Sequence, residues 1–338
     1  MYLILILGLL VTANSYAVNF PNSTNYIVNG CRILGPDEVE RKILPGERCI
    51  FFDNGDFISS TMTTIRYYTS KNEVKWELKG LFHHQMNLSS DQRRILVLGS
   101  VHGSTRHDSA NLHAQLNIVG IDGQIERSLD FSAALEQFRL QSHAIINSNR
   151  DPVPVNQQGI HLNSFYEIPA IKDGVKVPSY IQPGNFVING LVQGVFIIDK
   201  DLKKIIGHWV SPFSVLHNIH DAQVTAAGKL IYFNNMSAHS RLGNTYSSVD
   251  EVDLMSNKRI LEVKTNPAGL FYSPHCGGVQ VINNDLVLFS HVVAGYHVYS
   301  REKKSIIFSS HAPYLRGAQL TAAQQIKQYD LTNFLKQR

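Results

Sequence analysis

Short apolar runs alternate with polar hairpin turns along most of this chain. Each copy of the pattern begins with a histidine or a small polar motif. An apolar strand of four to six residues follows, and then a second strand that ends in a charged hairpin. The four clearest copies contain His84, His161, His220 and His275, whose numbers differ by 77, 59 and 55. Repeats of this size are typical of propellers and arrays, in which equivalent residues can converge on one place.

The second half of each repeat has the pattern of a β-hairpin. Apolar and polar residues alternate on either side of a short turn, and the clearest turn is Asp122-Gly123. Hairpins are predicted at 115–131, 195–210, 248–264 and 296–310, with an earlier copy at 49–80. Two stretches differ. Ser132–Leu140 has helical spacing, with Ser132 as a possible N-terminal cap, and predicts a short helix, and the polar residues 147–158 predict a surface loop or lid.

The two ends of the chain complete the predicted architecture. Residues 26–46 resemble the outer hairpin of a blade without inner strands, and residues 318–334 offer strand material without a complete blade. Joining the two would close a ring and remove exposed sheet edges. We therefore predict an all-β, six-bladed β-propeller in which the N- and C-terminal strands share one blade. A single domain over residues 18–338 fits the 43% hydrophobic content.

The first seventeen residues have the composition of a secretory signal. They contain no charged side chain, are apolar from Tyr2 to Val11, and end with small residues at Ser15 and Ala17. We expect cleavage after Ala17, which would release a secreted or periplasmic protein without an integral membrane span. An uncleaved anchor is the alternative, although the apolar run is short for a bilayer.

The three cysteines fit an oxidising compartment with one bridge and one remaining thiol. Cys31 and Cys49 flank a short strand pair near the mature N-terminus, and we predict that they form a disulfide. Cys276 would then be free, and we interpret it as an inert buried thiol.

Charge and motifs exclude several classes of function. Lys and Arg number 31 against 27 acidic residues, a net charge of +4, so nucleic acid is not an expected partner. Nucleotide-binding and serine-hydrolase motifs are absent from the sequence. His217, His220 and His275 could offer three nitrogens to a metal, but their spacing matches no zinc motif. We predict neither a metal nor a cofactor.

Four ordered motifs resemble one known family. His161-Leu162-Asn163-Ser164 precedes one strand, and His220-Asp221 precedes a strand that ends in Asn234-Asn235. Ser240-Arg241 then precedes residues 249–254, and a Ser-Pro-x-x-Gly-x-x-Gln step occupies residues 273–280. In this order and spacing, the motifs resemble the arylsulfotransferase-type six-bladed propellers, over about residues 25–335.

The resemblance implies a chemistry and a set of site residues. Members of the family move a sulfuryl group from an aryl sulfate to a phenol through a sulfated histidine, without a nucleotide donor. Neutral imidazole is a competent nucleophile, and cationic groups stabilise the anionic oxygens of the sulfuryl group. The catalytic matches are His275, His220 and His161, and the substrate-binding matches are Arg241, Asn163 and His84. Either His275 or His220 is the expected nucleophile.

The sequence departs from the family pattern at two positions. Leu191 follows Asn189-Gly190 where an arginine is common, and Ser248 occupies the second position expected for an arginine. Both departures remove positive charge from the predicted anion site. The alternative function is therefore a catalytically inactive propeller that serves as an extracellular binding or scaffold module.

Overall fold

The structure is a computed structural model that describes about two thirds of the chain. The described residues are 25–35, 40–84, 86–101, 114–142, 161–190, 194–214, 218–237, 246–264, 273, 276–291, 295–310 and 327–330. The predicted signal at 1–17 and the predicted loop at 147–158 lie outside them.

The described residues contain twenty-five strands and one helix. The strands are β1 Asn25–Asn29, β2 Arg32–Leu34, β3 Glu40–Ile43, β4 Arg48–Phe51, β5 Phe57–Ser60, β6 Thr64–Tyr68, β7 Val74–Lys79, β8 Leu81–Phe82, β9 Asn87–Leu88, β10 Arg94–Ser100, β11 Gln115–Gly120, β12 Ile125–Asp130, β13 Leu162–Glu167, β14 Phe186–Gly190, β15 Gly194–Ile198, β16 Ile205–Trp209, β17 Ile219–Val224, β18 Lys229–Ser237, β19 Tyr246–Asp253, β20 Lys258–Val263, β21 Gly278–Val281, β22 Leu286–His291, β23 Gly295–Ser300, β24 Ser305–Ser309 and β25 Lys327–Asp330. The helix, α1, is Phe131–Ser142.

These strands form an all-β, propeller-like fold of antiparallel sheets. Five sheets use consecutive strands: β4–β7, β8–β12, β13–β16, β17–β20 and β21–β24. A further sheet, here called the terminal sheet, has the order β25-β1-β2-β3 and joins the two ends of the chain. The four predicted hairpins are confirmed as β11–β12, β15–β16, β19–β20 and β23–β24.

The first strand of each consecutive sheet lies towards the centre. Strands β4, β13 and β17 are almost wholly buried, whereas the last strands β7 and β12 alternate exposed and half-buried residues. First strands of neighbouring sheets also contact one another, at β13–β17 and β17–β21, and the short strand β9 of the β8–β12 sheet contacts β13. Since successive sheets repeat one order around the centre, these first strands begin at the same end of the fold. We call it the entry end.

The hydrophobic core lies between neighbouring sheets. Leu34 of the terminal sheet packs with Leu286 and Leu288 of the β21–β24 sheet. On its other face, Val28 packs with Phe57 of the β4–β7 sheet. Four further clusters fill the remaining interfaces between successive sheets. Burial of each large apolar side chain contributes about 1.5–3 kcal/mol, so packing between sheets is the main force that holds them together.

The predicted disulfide and the predicted short helix are both present, but the residue that caps the helix differs from the predicted one. Cys31 and Cys49 are joined by a disulfide, which ties the terminal sheet to β4. The short helix is present, but its cap is Asp130: the Asp130 carboxylate accepts hydrogen bonds from the backbone N–H groups of Ser132 and Ala133. The expected cap, Ser132, lies within the first turn.

No helix of the described residues is both long and apolar enough to cross a bilayer.

Candidate functional site

Four of the six predicted site residues lie within the described part of the chain. His84 precedes β9, His161 directly precedes β13, Asn163 lies in β13, and His220 is the second residue of β17. All four are therefore at the entry end. His275 and Arg241 lie outside the described residues.

Two β-bulges shape the strands that contain these residues. In β13 the pairing moves from Leu162–Gly190 to Ser164–Asn189, which leaves Asn163 as the extra residue. In β17 a similar shift follows His220, at Asp221 and Ala222. A bulge inserts one residue and turns its side chain away from the regular alternation. The sequence motifs at Asn163 and Asp221 thus coincide with equivalent irregularities in two neighbouring sheets.

Strained backbone occurs at the same end of three sheets. His84, Asp221 and Cys276 have φ values of 56°, 54° and 57°. Side chains with a Cβ rarely adopt this left-handed region, and residues held there cluster at functional sites. Asp221 lies within the first strand of its sheet, Cys276 lies just before one, and His84 lies between the short strands β8 and β9, so the strain follows the repeat.

His84 and His161 form a direct pair between two sheets. Their Nε2 atoms lie 2.7 Å apart, and the rings meet edge to face with centroids 4.8 Å apart. His84 is buried, whereas His161 is partly exposed. At this distance one Nε2–H donates to the other Nε2, so the two rings can hold and exchange a shared proton.

The orientation of His220 is set by Asn235. The Nδ1 of His220 lies 2.6 Å from Oδ1 of Asn235. The amide group of Asn235 cannot be reversed without losing contacts, because its Nδ2 donates to the carbonyls of Ser273 (2.8 Å) and Cys276 (2.6 Å). Since Oδ1 only accepts, the proton of His220 lies on Nδ1 and the lone pair of the neutral ring lies on Nε2.

Asp221 connects three sheets directly beside His220. Its buried carboxylate accepts a hydrogen bond from the Tyr166 hydroxyl of β13 at 2.5 Å. The second oxygen accepts from the backbone N–H of Val279 in β21 at 2.7 Å. These bonds hold the bulge of β17 between its two neighbours, and they limit the movement of the adjacent imidazole.

Two asparagines connect the His161 segment to the residue before His220. Asn189 donates from Nδ2 to the carbonyl of Ile219 at 2.8 Å, and Asn163 approaches the same oxygen at 3.5 Å. Asn163 is buried, and among the described residues its Oδ1 has no hydrogen-bond partner. A buried acceptor without a donor is costly, so this oxygen is an uncompensated polar atom beside the histidine motifs.

Of the two departures from the family pattern, Ser248 lies within the described residues and Leu191 lies outside them. Ser248 is buried and donates to Asp250 at 2.9 Å, so no cation lies at that position. Asn189 accepts from Ser164 in addition to its contact with Ile219. Burial raises the pKa of the Cys276 thiol to about 11, which keeps it protonated and unreactive near neutral pH.

Among the residues that the structure describes, no group of three or more His, Cys, Asp or Glu side chains is arranged to hold a metal ion. His217 and His275, two of the three histidines that the sequence offers for such a site, lie outside those residues.

Sequence reasoning did not assign roles to Asn235, Asp221 or Tyr166. Asn235 and Asp221 belong to the motifs that carry the family resemblance, and their place in those motifs is what could have identified them from the sequence. Tyr166 lies five residues beyond His161 in an ordinary strand, and nothing in its local sequence distinguishes it.

Comparison with known proteins shows no family for this chain. No family model and no curated protein matches the sequence. A solved structure described as dihydro-heme d1 dehydrogenase NirN in complex with DHE is 12% identical, with a TM-score of 0.43, over 85% of this chain and 53% of that one. A protein of unknown function from Bacteroides caccae is 11% identical, with a TM-score of 0.48, over 90% and 97%. The chain spans about half the length of NirN.

Proposed function

We propose that this protein is an exported aryl-sulfate sulfotransferase in which His220 is the nucleophile. The observation that carries the proposal is the fixed tautomer of His220, because Asn235 holds the proton on Nδ1 and leaves the lone pair on Nε2. A neutral imidazole with one defined basic nitrogen is what attack on a sulfur centre requires. The motif order that resembles arylsulfotransferases selects sulfuryl transfer among the reactions open to such a residue.

The first step forms a sulfohistidine. The Nε2 lone pair of His220 attacks sulfur, the N–S bond forms, and the bond from sulfur to the aryl oxygen breaks. The phenolate leaves with that electron pair and takes a proton from the protonated His84–His161 pair. Positive charge develops on the His220 ring, where Nδ1–H donates to Asn235, so this bond strengthens as the reaction proceeds.

In the second step, the sulfuryl group passes from His220 to a different phenol. The acceptor oxygen attacks sulfur, the N–S bond breaks, and its electron pair returns to His220. The phenol proton passes to the His84–His161 pair, whose 2.7 Å contact suits it to accept a proton in one step and release it in the other. The unpartnered Oδ1 of Asn163 is available to orient the acceptor hydroxyl. Both substrates are small aromatic compounds.

The architecture and location proposed from the sequence are kept as part of this function. Pairing of β1 with β25 supports a ring of six blades in which the terminal sheet is the shared blade. The disulfide between Cys31 and Cys49 favours an oxidising compartment and thus a secreted or periplasmic protein, released by cleavage after Ala17.

An assay with a chromogenic aryl sulfate and a phenol acceptor tests the proposal. Wild-type protein should release the chromogenic phenol and carry sulfate on one histidine, located by mass spectrometry. His220→Asn should abolish both. Asn235→Ala should lower kcat about 100-fold, because an imidazole in the wrong tautomer presents no lone pair to sulfur. His208→Asn, on the outer strand β16, is the matched control and should retain full activity.

Two outcomes would redirect the proposal. Sulfate on His275 with activity retained in His220→Asn would make His275 the nucleophile. If wild-type protein binds aryl sulfate but releases no phenol, the alternative of an inactive extracellular binding module is correct.

A further inference from the structure

Arg48 is a buried cation with unused hydrogen-bond donors. It is the first residue of β4, and its side chain is 5% exposed. Among the described residues, its Nε and Nη1 atoms have no hydrogen-bond partner. Placing a guanidinium away from water without partners costs several kcal/mol, so such a group calls for an explanation.

Charged groups among the described residues do not offset this cost. The one described ion pair of Arg48 joins Nη2 to the Glu47 carboxylate at 3.9 Å, and that carboxylate is 42% exposed. Burial lowers the pKa of the guanidinium, and Glu47 opposes this only in part. Arginine nevertheless remains protonated throughout the physiological range. The cation is therefore permanent and has little compensation from the residues around it.

A second orphan donor lies beside it. Ser60 of β5 is the register partner of Arg48, so the two side chains point to the same face of the sheet. Ser60 is buried, and its Oγ also lacks a hydrogen-bond partner among the described residues. A guanidinium and a hydroxyl, both unsatisfied and adjacent, form a donor set that matches an oxyanion.

The position of this donor set relates it to the candidate site. Ile50 lies two residues from Arg48 in β4, and Ile58 lies two residues from Ser60 in β5. Both isoleucines pack in the cluster shared with the β8–β12 sheet. Since residues two apart in a strand share a face, Arg48 faces that sheet. The turn after Ser60 is bonded to the β8 segment, where the N–H of Phe82 donates to the carbonyl of Met62 at 2.8 Å. The residues that follow Phe82 are His83 and His84. Arg48 also begins a first strand, at the entry end.

We propose that Arg48 and Ser60 form an oxyanion subsite that binds the sulfate group of a substrate. Its identification as part of the catalytic site rests on the proposed sulfotransferase function, whereas binding of the anion does not. The subsite would supply, from a different sheet, the positive charge that is missing at Leu191 and Ser248.

Calorimetric titration of the full chain with sodium sulfate tests this subsite, with sodium chloride at equal ionic strength as the reference. Wild-type protein should bind sulfate in preference to chloride. Arg48→Met should weaken sulfate binding at least tenfold, and Ser60→Ala about threefold. Arg66→Met, which removes an exposed arginine paired with Glu77 in the same sheet, should bind sulfate as the wild type does.

Two further measurements separate Arg48 from other sources of binding. The sulfate affinity should change less than threefold from pH 6.5 to 9, because a guanidinium keeps its charge there whereas histidines lose theirs. Arg48→Lys, which retains the charge, serves if Arg48→Met does not fold, and it should weaken binding three- to tenfold.

Wild-type affinity for sulfate no greater than for chloride would overturn the subsite, as would unchanged affinity in both Arg48 variants. Absence of phenol release by wild-type protein would instead contradict the sulfotransferase, and the sulfate titration would remain interpretable since it involves no transfer.

Discussion

Two pairs of histidines in this protein make nearly the same contact in different surroundings. His84 and His161 lie 2.7 Å apart from Nε2 to Nε2 and join two neighbouring sheets. His291 and His297 lie 2.9 Å apart through the same atoms, but both belong to the hairpin β22–β23 of one sheet. The first pair meets edge to face at 81°, whereas the second is stacked at 6°.

The surroundings decide what each pair can do. His161 is partly exposed at the entry end, and His84 has a strained backbone. His291 and His297 are both buried, and His297 stacks on Phe289 and contacts the Ser309 hydroxyl at 2.8 Å. We infer that the pair between sheets takes part in chemistry and that the pair within one sheet is part of the core. Three experiments can break or sharpen this distinction.

The largest expected effect is on catalysis. His161→Gln should lower kcat/KM for an aryl sulfate by about 100- to 1000-fold, because it removes one partner of the proton-exchanging pair. His297→Gln should leave kcat/KM within about twofold of the wild type in the folded fraction. Steady-state kinetics on both variants, with folding checked by circular dichroism, measures the contrast. Equal losses would show that the two pairs do not differ in function.

The second effect is on the pH dependence of stability. Burial, with a smaller contribution from His297, lowers the pKa of His291 from 6.5 to about 3. As the pH falls below 6.5, the unfolded chain binds a proton that the folded His291 does not, so this residue's contribution to stability is progressively lost down to about pH 3. His291→Gln lacks this loss, and the stability gap between wild type and variant should narrow by about 1.4 kcal/mol per pH unit.

Urea unfolding at pH 7 and at pH 4.5 measures this gap. Burial raises the pKa of Asp250 to about 6, an effect of opposite sign that is present in both proteins and cancels in the difference. A gap that stays constant between the two pH values would show that His291 titrates normally and is accessible to solvent.

The smallest expected effect concerns the support of the buried pair. Ser309→Ala removes the hydroxyl next to Nδ1 of His297 and should lower the free energy of unfolding by about 1 kcal/mol, with transfer activity unchanged. Ser256→Ala, whose hydroxyl bonds an exposed turn carboxylate at Asp253, is the control and should cost less. A loss of activity in Ser309→Ala would place the His291–His297 pair in the catalytic site.

Structural elements that depend on residues adjacent in the chain, such as tight turns and short helices, could be predicted from the sequence. Asp122-Gly123 marks a hairpin turn that the structure contains, because this dipeptide accepts the φ values of a tight turn. The helix after β12 was also predicted, over Ser132–Leu140 where the structure has Phe131–Ser142, and with Ser132 rather than Asp130 as its cap. Local sequence does not show burial: Asn87 and Asn235 each begin an Asn-x-Ser sequence, and both are buried and donate hydrogen bonds to carbonyls of neighbouring segments.

The candidate site could be predicted only where it follows the repeat. His84, His161 and His220 stand at equivalent points of successive copies, so their common location at the entry end follows from periodicity. Arg48 also begins a first strand, but no other described first strand begins with an arginine, and the His291–His297 pair has no counterpart in the other copies. The functional meaning of Arg48 depends on which donors remain unsatisfied after packing, and a linear sequence does not contain that information.

The sequence by itself determined the alternation of strands and turns, the joining of the two chain ends, and the disulfide between Cys31 and Cys49. These features depend on local propensity and on the need to pair sheet edges. Only the tertiary structure decided that Asn235 fixes the tautomer of His220 and that Asp221 bonds to two other sheets. Such contacts join residues dozens of positions apart, and their geometry is set by how the sheets pack rather than by any residue near them in the chain.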